Sequence, residues 1–268
     1  MPVATLDDLS IHYEHNKTGA NSKTKKVFYI HGTGCNSSVF MSHMELMQAS
    51  RETIAIDLPG HGRSSGKGFR GVADHAHICS ELIRTIGWTD CVVAGHSLGG
   101  GVALALALIN PEQVSELIMI DSGARLRVNP ATINLAKLQA AGQITADPNN
   151  RTGFAKAASP SLVIRTNQLM ADCDPRVTLR DWVADDTCDF MARVKDVCIP
   201  TLAICGREDE LTPIKYSEYL TKTMPNCTLK IIEDAGHWTF LEQPHICLLY
   251  TSDAADEGLG VDLGGRRI

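Results

Sequence analysis

Ser97 is the residue around which chemistry would be built. It lies in Gly95-His96-Ser97-Leu98-Gly99, between a short apolar run, Cys91 to Ala94, and a long Ala/Leu segment closed by Asn110-Pro111. Strand, sharp turn with serine at the apex, then helix is the order that presents a hydroxyl as a nucleophile. The apex backbone of such a turn is strained by about 1–3 kcal/mol, so its neighbours must be small, and Gly95 and Gly99 supply the room. At the helix N-terminus, free N–H groups and the helix dipole favour the negative charge that develops there. The Ala/Leu alternation after Gly101 has the period of a strand, but both residues are strong helix formers, and the segment reads as a buried helix.

Several other segments must fold to position that serine. Leu9 to Tyr13 reads as an edge strand, followed by a polar turn from Asn16 to Lys26. His12 and His15, three apart on it, would face opposite ways and read as surface residues, not metal ligands. Val27 to Ile30 is a buried strand leading into His31-Gly32-Thr33-Gly34, and Ser37 or Ser38 would cap a helix through about Ala49. Thr53 to Ile56 is the next strand, ending in Asp57-Leu58-Pro59-Gly60-His61-Gly62-Arg63-Ser64. A helix over Val72 to Ile86 has Asp74-His75-Ala76-His77 as its solvated first turn, and Leu117 to Ile120 forms a strand ending at Asp121. From 124 to 196 the strand–helix rhythm stops. Three helical pieces, near 130–141, 159–171 and 176–194, are set off by Asp-Pro and Ser-Pro steps. Strands resume with Thr201 to Cys205, followed by Gly206-Arg207-Glu208-Asp209, and with Leu229 to Ile232, followed by Asp234-Ala235-Gly236-His237-Trp238.

Composition limits the function classes. The chain of 268 residues is 44% hydrophobic and 21% charged, which fits a globular protein with a sizeable core. A formal charge of −6 argues against nucleic acid as a partner. No apolar run approaches the ~20 residues of a membrane span, and no leader is visible at the N-terminus. The nine cysteines are scattered singly, as expected of reduced, buried thiols in cytoplasm.

Taken in order, these motifs resemble the α/β-hydrolase superfamily, and from His31 to Pro244 the resemblance covers nearly the whole chain. The resemblance implies a mostly parallel central sheet flanked by helices, with a core of 1–123 and 197–246 and a helical cap of 124–196. It implies Ser97 as nucleophile, His237 as base and Asp209, in its Gly-x-x-Asp pattern, as the acid that orients the base. Asp121 is the rival acid, since a minority of the superfamily keeps its carboxylate after the preceding strand. The resemblance places an oxyanion-binding loop at Gly32 and Thr33, the donors being the backbone N–H groups of Thr33 and Leu98. It gives the string from Asp57 to Ser64 a structural role, shaping the loop beside the active site, so His61 reads as structural. Glu242-Gln243-Pro244 strengthens the match.

The implied activity is hydrolysis of a small-molecule carboxylic ester or related acyl bond through an acyl-enzyme, with no cofactor and no metal. Lactonase, thioesterase, carbon–carbon bond hydrolase and cofactor-free perhydrolase or haloperoxidase are the alternatives, because specificity lies in pocket shape. A slow or non-hydrolytic ligand receptor on the same fold is the alternative of another class. Serine at the elbow argues against the dehalogenase and epoxide-hydrolase branches, whose covalent step uses a carboxylate. In the cap, ten Lys and Arg face eight Asp and no Glu, a balance that does not point to an anionic substrate. The oligomeric state stays open. Residues 247–268 read as foreign to this pattern: back-translated, they resemble a sequencing-library adapter, and they are expected to be a non-native tail.

Overall fold

The computed structural model describes residues 2–17 and 25–257, the side chains of 251–257 excepted. In chain order the strands are β1 (Val3–Leu6), β2 (Leu9–Asn16), β3 (Lys26–Ile30), β4 (Glu52–Ile56), β5 (Cys91–His96), β6 (Val114–Ile120), β7 (Thr201–Gly206) and β8 (Cys227–Ile232). The helices are α1 (Met41–Met47), α2 (Val72–Thr85), α3 (Leu98–Ile109), α4 (Pro130–Ala140), α5 (Pro160–Ala171), α6 (Pro175–Thr187), α7 (Lys215–Thr223), the single turn α8 (Thr239–Glu242) and α9 (Pro244–Glu257).

The strands form one eight-stranded sheet in the order β1-β2-β4-β3-β5-β6-β7-β8. β1 and β2 pair antiparallel, as do β2 and β4, and every pairing from β4 through β8 is parallel. Parallel strands covered on both faces read as continuous apolar runs, and all six residues of β5 and of β7 are buried. Alternation along β3 divides the core. Phe28 and Ile30 join Leu82, Leu98 and Leu104 on one face, and Val27 and Tyr29 join Phe40, Met44 and Phe240 on the other. Each fully buried side chain of this size contributes roughly 1.5–3 kcal/mol. The chain reverses its direction of travel across the sheet between β3 and β5. Loops leaving the carboxyl ends of such a pair diverge and open a crevice, the usual ligand position in open α/β sheets. The loops 31–36 and 97–98 flank that crevice.

Between β6 and β7 lie α4, α5 and α6, and the only strand-like pairing there among the described residues is an isolated bridge, Arg125 to Asp189. Each helix starts with proline at its first position behind a capping side chain. Asn129 accepts from Ala131 N, Ser159 from Leu162 N and Asp174 from Arg176 N. α6 stops at Thr187, short of the expected 194, because Cys188 turns extended and the chain enters the bridge at Asp189.

The structure corrects several local expectations. Leu9 to Tyr13 is not an edge strand, because β1 pairs outside it. His12 is not on the surface: it is buried, with Nδ1 2.8 Å from Asp57 Oδ2, because the 57–65 loop folds over β2, where Ser64 Oγ accepts from His12 N and Ser65 Oγ from Ser10 N. His15 pairs elsewhere, with Glu52 at 2.8 Å. The first helix is preceded by a 3-10 turn, Ser37–Phe40, capped by Asn36 instead of a serine. His75, expected in a solvated turn, is buried against Phe69, and burial lowers its pKa to about 4. At the C-terminal end α9 runs across position 246. Cys247 is fully buried, and Leu248 and Tyr250 pack against the α1 side of the core. Of the expected tail, residues 258–268 lie outside the described residues.

Candidate active site

Ser97 occupies the turn between β5 and α3 with φ 52° and ψ −118°, a left-handed conformation that costs a non-glycine residue about 1–3 kcal/mol. Its surroundings impose that conformation. Ser97 N donates to Ile120 O at 3.0 Å and Ser97 O accepts from Ser122 Oγ at 2.8 Å. The two glycines of the motif are required by space. A Cβ on Gly95 would lie 2.1 Å from Gly99 O, and one on Gly99 would lie 2.2 Å from Ile30 O. The second contact also packs the end of β3, and with it the loop that starts at His31, against the first turn of α3.

The structure brings Ser97, His237 and Asp209 into one line. His237 Nε2 is 2.9 Å from Ser97 Oγ, and His237 Nδ1 is 2.9 Å from Asp209 Oδ2. Asp209 is buried and held by three further donors: Leu211 N and Thr212 N reach Oδ1 at 2.8 and 2.9 Å, and Thr212 Oγ1 reaches Oδ2 at 2.7 Å. Burial alone would raise its pKa, but the charge of His237 and these donors hold it down, at about 2. The same partnership works in reverse on His237. Burial disfavours its charged form, the charge and hydrogen bond of Asp209 outweigh that, and its pKa lies above the ordinary 6.5. The imidazole is also fixed through its backbone, with N–H donating to Gly153 O at 2.6 Å and C=O accepting from His96 Nε2 at 2.8 Å. Burial first, then the neighbouring His237, push the pKa of His96 down to about 3, which keeps it neutral and a donor at Nε2.

Asp121, the rival acid, makes no hydrogen bond to the histidine. Its Oδ1 accepts from Gly206 N at 3.0 Å, and its Oδ2 accepts from Thr239 N and Thr239 Oγ1 at 3.0 and 2.6 Å. It ties the end of β7 to the start of α8, so it braces the two loops that carry Asp209 and His237. Burial and the nearby charge of Asp209 raise its pKa to about 7. Asp121, Cys205 and Asp209 place ligand atoms within 4.8 Å of one another, the one such grouping among the described residues. Both carboxylates already accept from N–H and O–H donors, and burial keeps the Cys205 thiol protonated, so the trio offers no open ligand set.

Gly32, Thr33 and Leu98 are all buried at the mouth of the crevice. His61 is buried and bonded to Asp181 Oδ2 at 2.8 Å, a contact to α6 and not to the serine. Glu242 accepts from Gly236 N, Trp238 N and Ala155 N at 3.0, 3.3 and 2.8 Å, so the Glu-Gln-Pro string clamps the histidine loop to the segment before α5. Sequence reasoning missed Thr212, His96, Asp181 and Asp185. The two aspartates carried a usable signal, since they lie four apart on a helix among Val177, Ala184 and Cys188, all buried.

Comparison with known proteins gives the same architecture. The family model described as alpha/beta hydrolase fold matches residues 26–244. A pimeloyl-[acyl-carrier protein] methyl ester esterase from Neisseria meningitidis is 29% identical over 81% of this chain and 72% of its own length. A 2-hydroxy-6-oxononadienedioate/2-hydroxy-6-oxononatrienedioate hydrolase from Dechloromonas aromatica is 28% identical over 86% of this chain and 85% of its own. Among solved structures, a thermophilic esterase is 29% identical, with a TM-score of 0.81 over 96% of this chain and 97% of that one. The enol-lactonase from Burkholderia xenovorans has a TM-score of 0.87 at 17% identity, over 95% and 100% of the two chains.

Proposed function

Given that the chain belongs to the alpha/beta hydrolase fold family, we propose that Ser97, His237 and Asp209 form its catalytic triad and that Thr33 and Leu98 supply its oxyanion hole. The protein is an ester-bond hydrolase. In the first step His237 Nε2 takes the Ser97 hydroxyl proton as Oγ bonds to the acyl carbon, and the carbonyl oxygen becomes an oxyanion. The N–H groups of Thr33 and Leu98 hold that charge, each donor worth roughly 3–4 kcal/mol. The imidazolium then gives its proton to the leaving oxygen, the ester C–O bond breaks, and an acyl-enzyme remains on Ser97. Water, deprotonated by His237, attacks the acyl carbon and releases the acid and the serine. Asp209 accepts from Nδ1–H throughout, fixing the tautomer and stabilising the imidazolium.

The observation that carries this reading is the unbroken hydrogen-bonded path from Ser97 Oγ through His237 to Asp209. Labelling with a fluorophosphonate tests it. Ser97→Ala should abolish labelling and lower turnover of a chromogenic short-chain ester by about 10⁴-fold or more; labelling at the wild-type rate would remove Ser97 from the reaction. Segment 124–196 acts as a cap over the crevice, a role supported by Gly153 O and Ala155 N, which bond to the histidine loop and to Glu242. The substrate is a small molecule. Nine unpaired cysteines, six of them buried, support a cytoplasmic setting, and among the described residues no helix is long and apolar enough to cross a membrane.

A further inference from the structure

Helix α6 touches the loop after β3 with one face. Thr178, Asp181 and Asp185 are spaced three and four apart and so share a side of the helix. Thr178 lies against Gly34, whose φ is +66° and whose added Cβ would meet it at 3.4 Å. Asp181 Oδ2 accepts from Gly34 N at 2.9 Å and from His61 Nε2 at 2.8 Å. Asp185 Oδ2 accepts from Thr33 Oγ1 at 2.6 Å. Both carboxyl groups are buried, and the second oxygen of each has no hydrogen-bond partner among the described residues.

We propose that Asp181 and Asp185 are positioning residues for the oxyanion hole: α6 holds Thr33 and Gly34 by these bonds, so the Thr33 N–H is correctly placed only while α6 is seated. The proposal rests on the reading of Ser97 as nucleophile and Thr33 as oxyanion donor.

An apolar seal between helix and loop would be easier to bury than two acids a turn apart. Acids give something an apolar seal does not, which is direction. Asp181 fixes the peptide between Thr33 and Gly34 through its N–H, and Asp185 fixes the Thr33 side chain, so the two bonds bracket the residue whose own N–H would face the substrate. His61 supplies the opposing charge. Burial works against its protonation, but Asp181 holds its pKa well above 6.5, and His61 in turn keeps Asp181 below 3.8 despite the burial. Oxyanion stabilisation depends on donors held in place before the charge arrives. A hole with one wall mounted on a separate segment is in place only when that segment is docked.

The test uses the whole chain, p-nitrophenyl butyrate as substrate, and the Thr33–Asp185 bond cut from either end. Thr33→Val removes the hydroxyl and keeps the backbone N–H, and Asp185→Ala removes the acceptor. Each should lower kcat by roughly 10- to 100-fold, the range that small misplacement in a catalytic constellation can cost, with KM within about twofold. The double variant should fall no further than the lower single. Asp185→Asn, which keeps an oxygen to accept from Thr33, should return most of the lost kcat. If Asp185→Ala fails to fold, Thr33→Val reads the same bond. Unchanged kcat with only a lower melting temperature, or a raised KM in place of a lowered kcat, overturns the proposal. Fluorophosphonate labelling of Ser97 must persist in all variants; a Ser97→Ala protein with wild-type turnover would instead overturn the serine reading beneath it.

Discussion

The imidazole of His237 lies between the Ser97 hydroxyl and the Asp209 carboxylate, 2.9 Å from each. With His237 as the proposed base its neutral form is the active one, so kcat/KM should rise with pH through an apparent pKa above 6.5, because Asp209 outweighs burial and stabilises the imidazolium. A profile on an activated ester that stays flat from about pH 5 to 9 would remove histidine as the base. Asp209→Asn replaces an acceptor with an amide that can offer N–H to Nδ1 and hold the wrong tautomer, and turnover should fall by about 10⁴-fold. Asp121→Asn should be milder, within roughly tenfold, because Asp121 hydrogen-bonds Gly206 and Thr239 and not the histidine. Measuring both variants in one assay ranks them, and the reverse order would transfer the orienting role to Asp121.

At the scale of elements, the elbow predicts a separation of stability from activity. Ser97 is strained at φ 52° whatever its side chain, and only glycine relieves it. Ser97→Gly and Ser97→Ala should both be inactive, but the glycine protein should be the more stable by about 1 kcal/mol. Equal denaturant midpoints would show that the turn carries no such strain. The elbow was readable in the sequence because every part of it is local: apolar run, glycine, serine, glycine, helix former. The loops of Asp209 and His237, which the structure brings to Ser97, were readable for the same reason, each following an apolar strand. The contacts of α6 were not, since Gly34 and Asp181 are 147 residues apart in the chain and no local pattern records their meeting. His12 and His75 failed likewise. Strand alternation and helix position place a side chain on a face, but they do not tell which loop later covers that face. Loop 57–65 covers the first, and Phe69 packs on the second.

For the molecule as a whole, the question is how far the core extends along α9. The helix backbone continues to Glu257, and among its described side chains Cys247, Leu248 and Tyr250 meet the core. Cys247 is fully buried in the cluster that holds Phe40, Trp238 and Phe240, and Leu248 and Tyr250 rest on its edge. Tyr250 also receives Lys230 Nζ at 5.2 Å from its ring centre. Large apolar side chains lost from such a position each forfeit up to about 1.5–3 kcal/mol, against a total stability of only ~5–15 kcal/mol. A chain ended after Tyr250 keeps all these groups, whereas one ended after His245 loses them. We expect the first to melt within about 2 °C of the full chain and to retain its esterase activity. The second should melt lower by on the order of 10 °C, given ~2–4 °C per kcal/mol for a protein of this size. The loss should show in activity as well, because Asp121 joins Thr239, on the turn before α9, to Gly206, where the loop that bears Asp209 begins. Thermal melts of the three chains, followed by ester turnover at a temperature below all three midpoints, decide the matter. A chain ended after Tyr250 that melts as low as the one ended after His245 would mean that the residues beyond 250 belong to the folded protein, and the reading of the segment as foreign would fall.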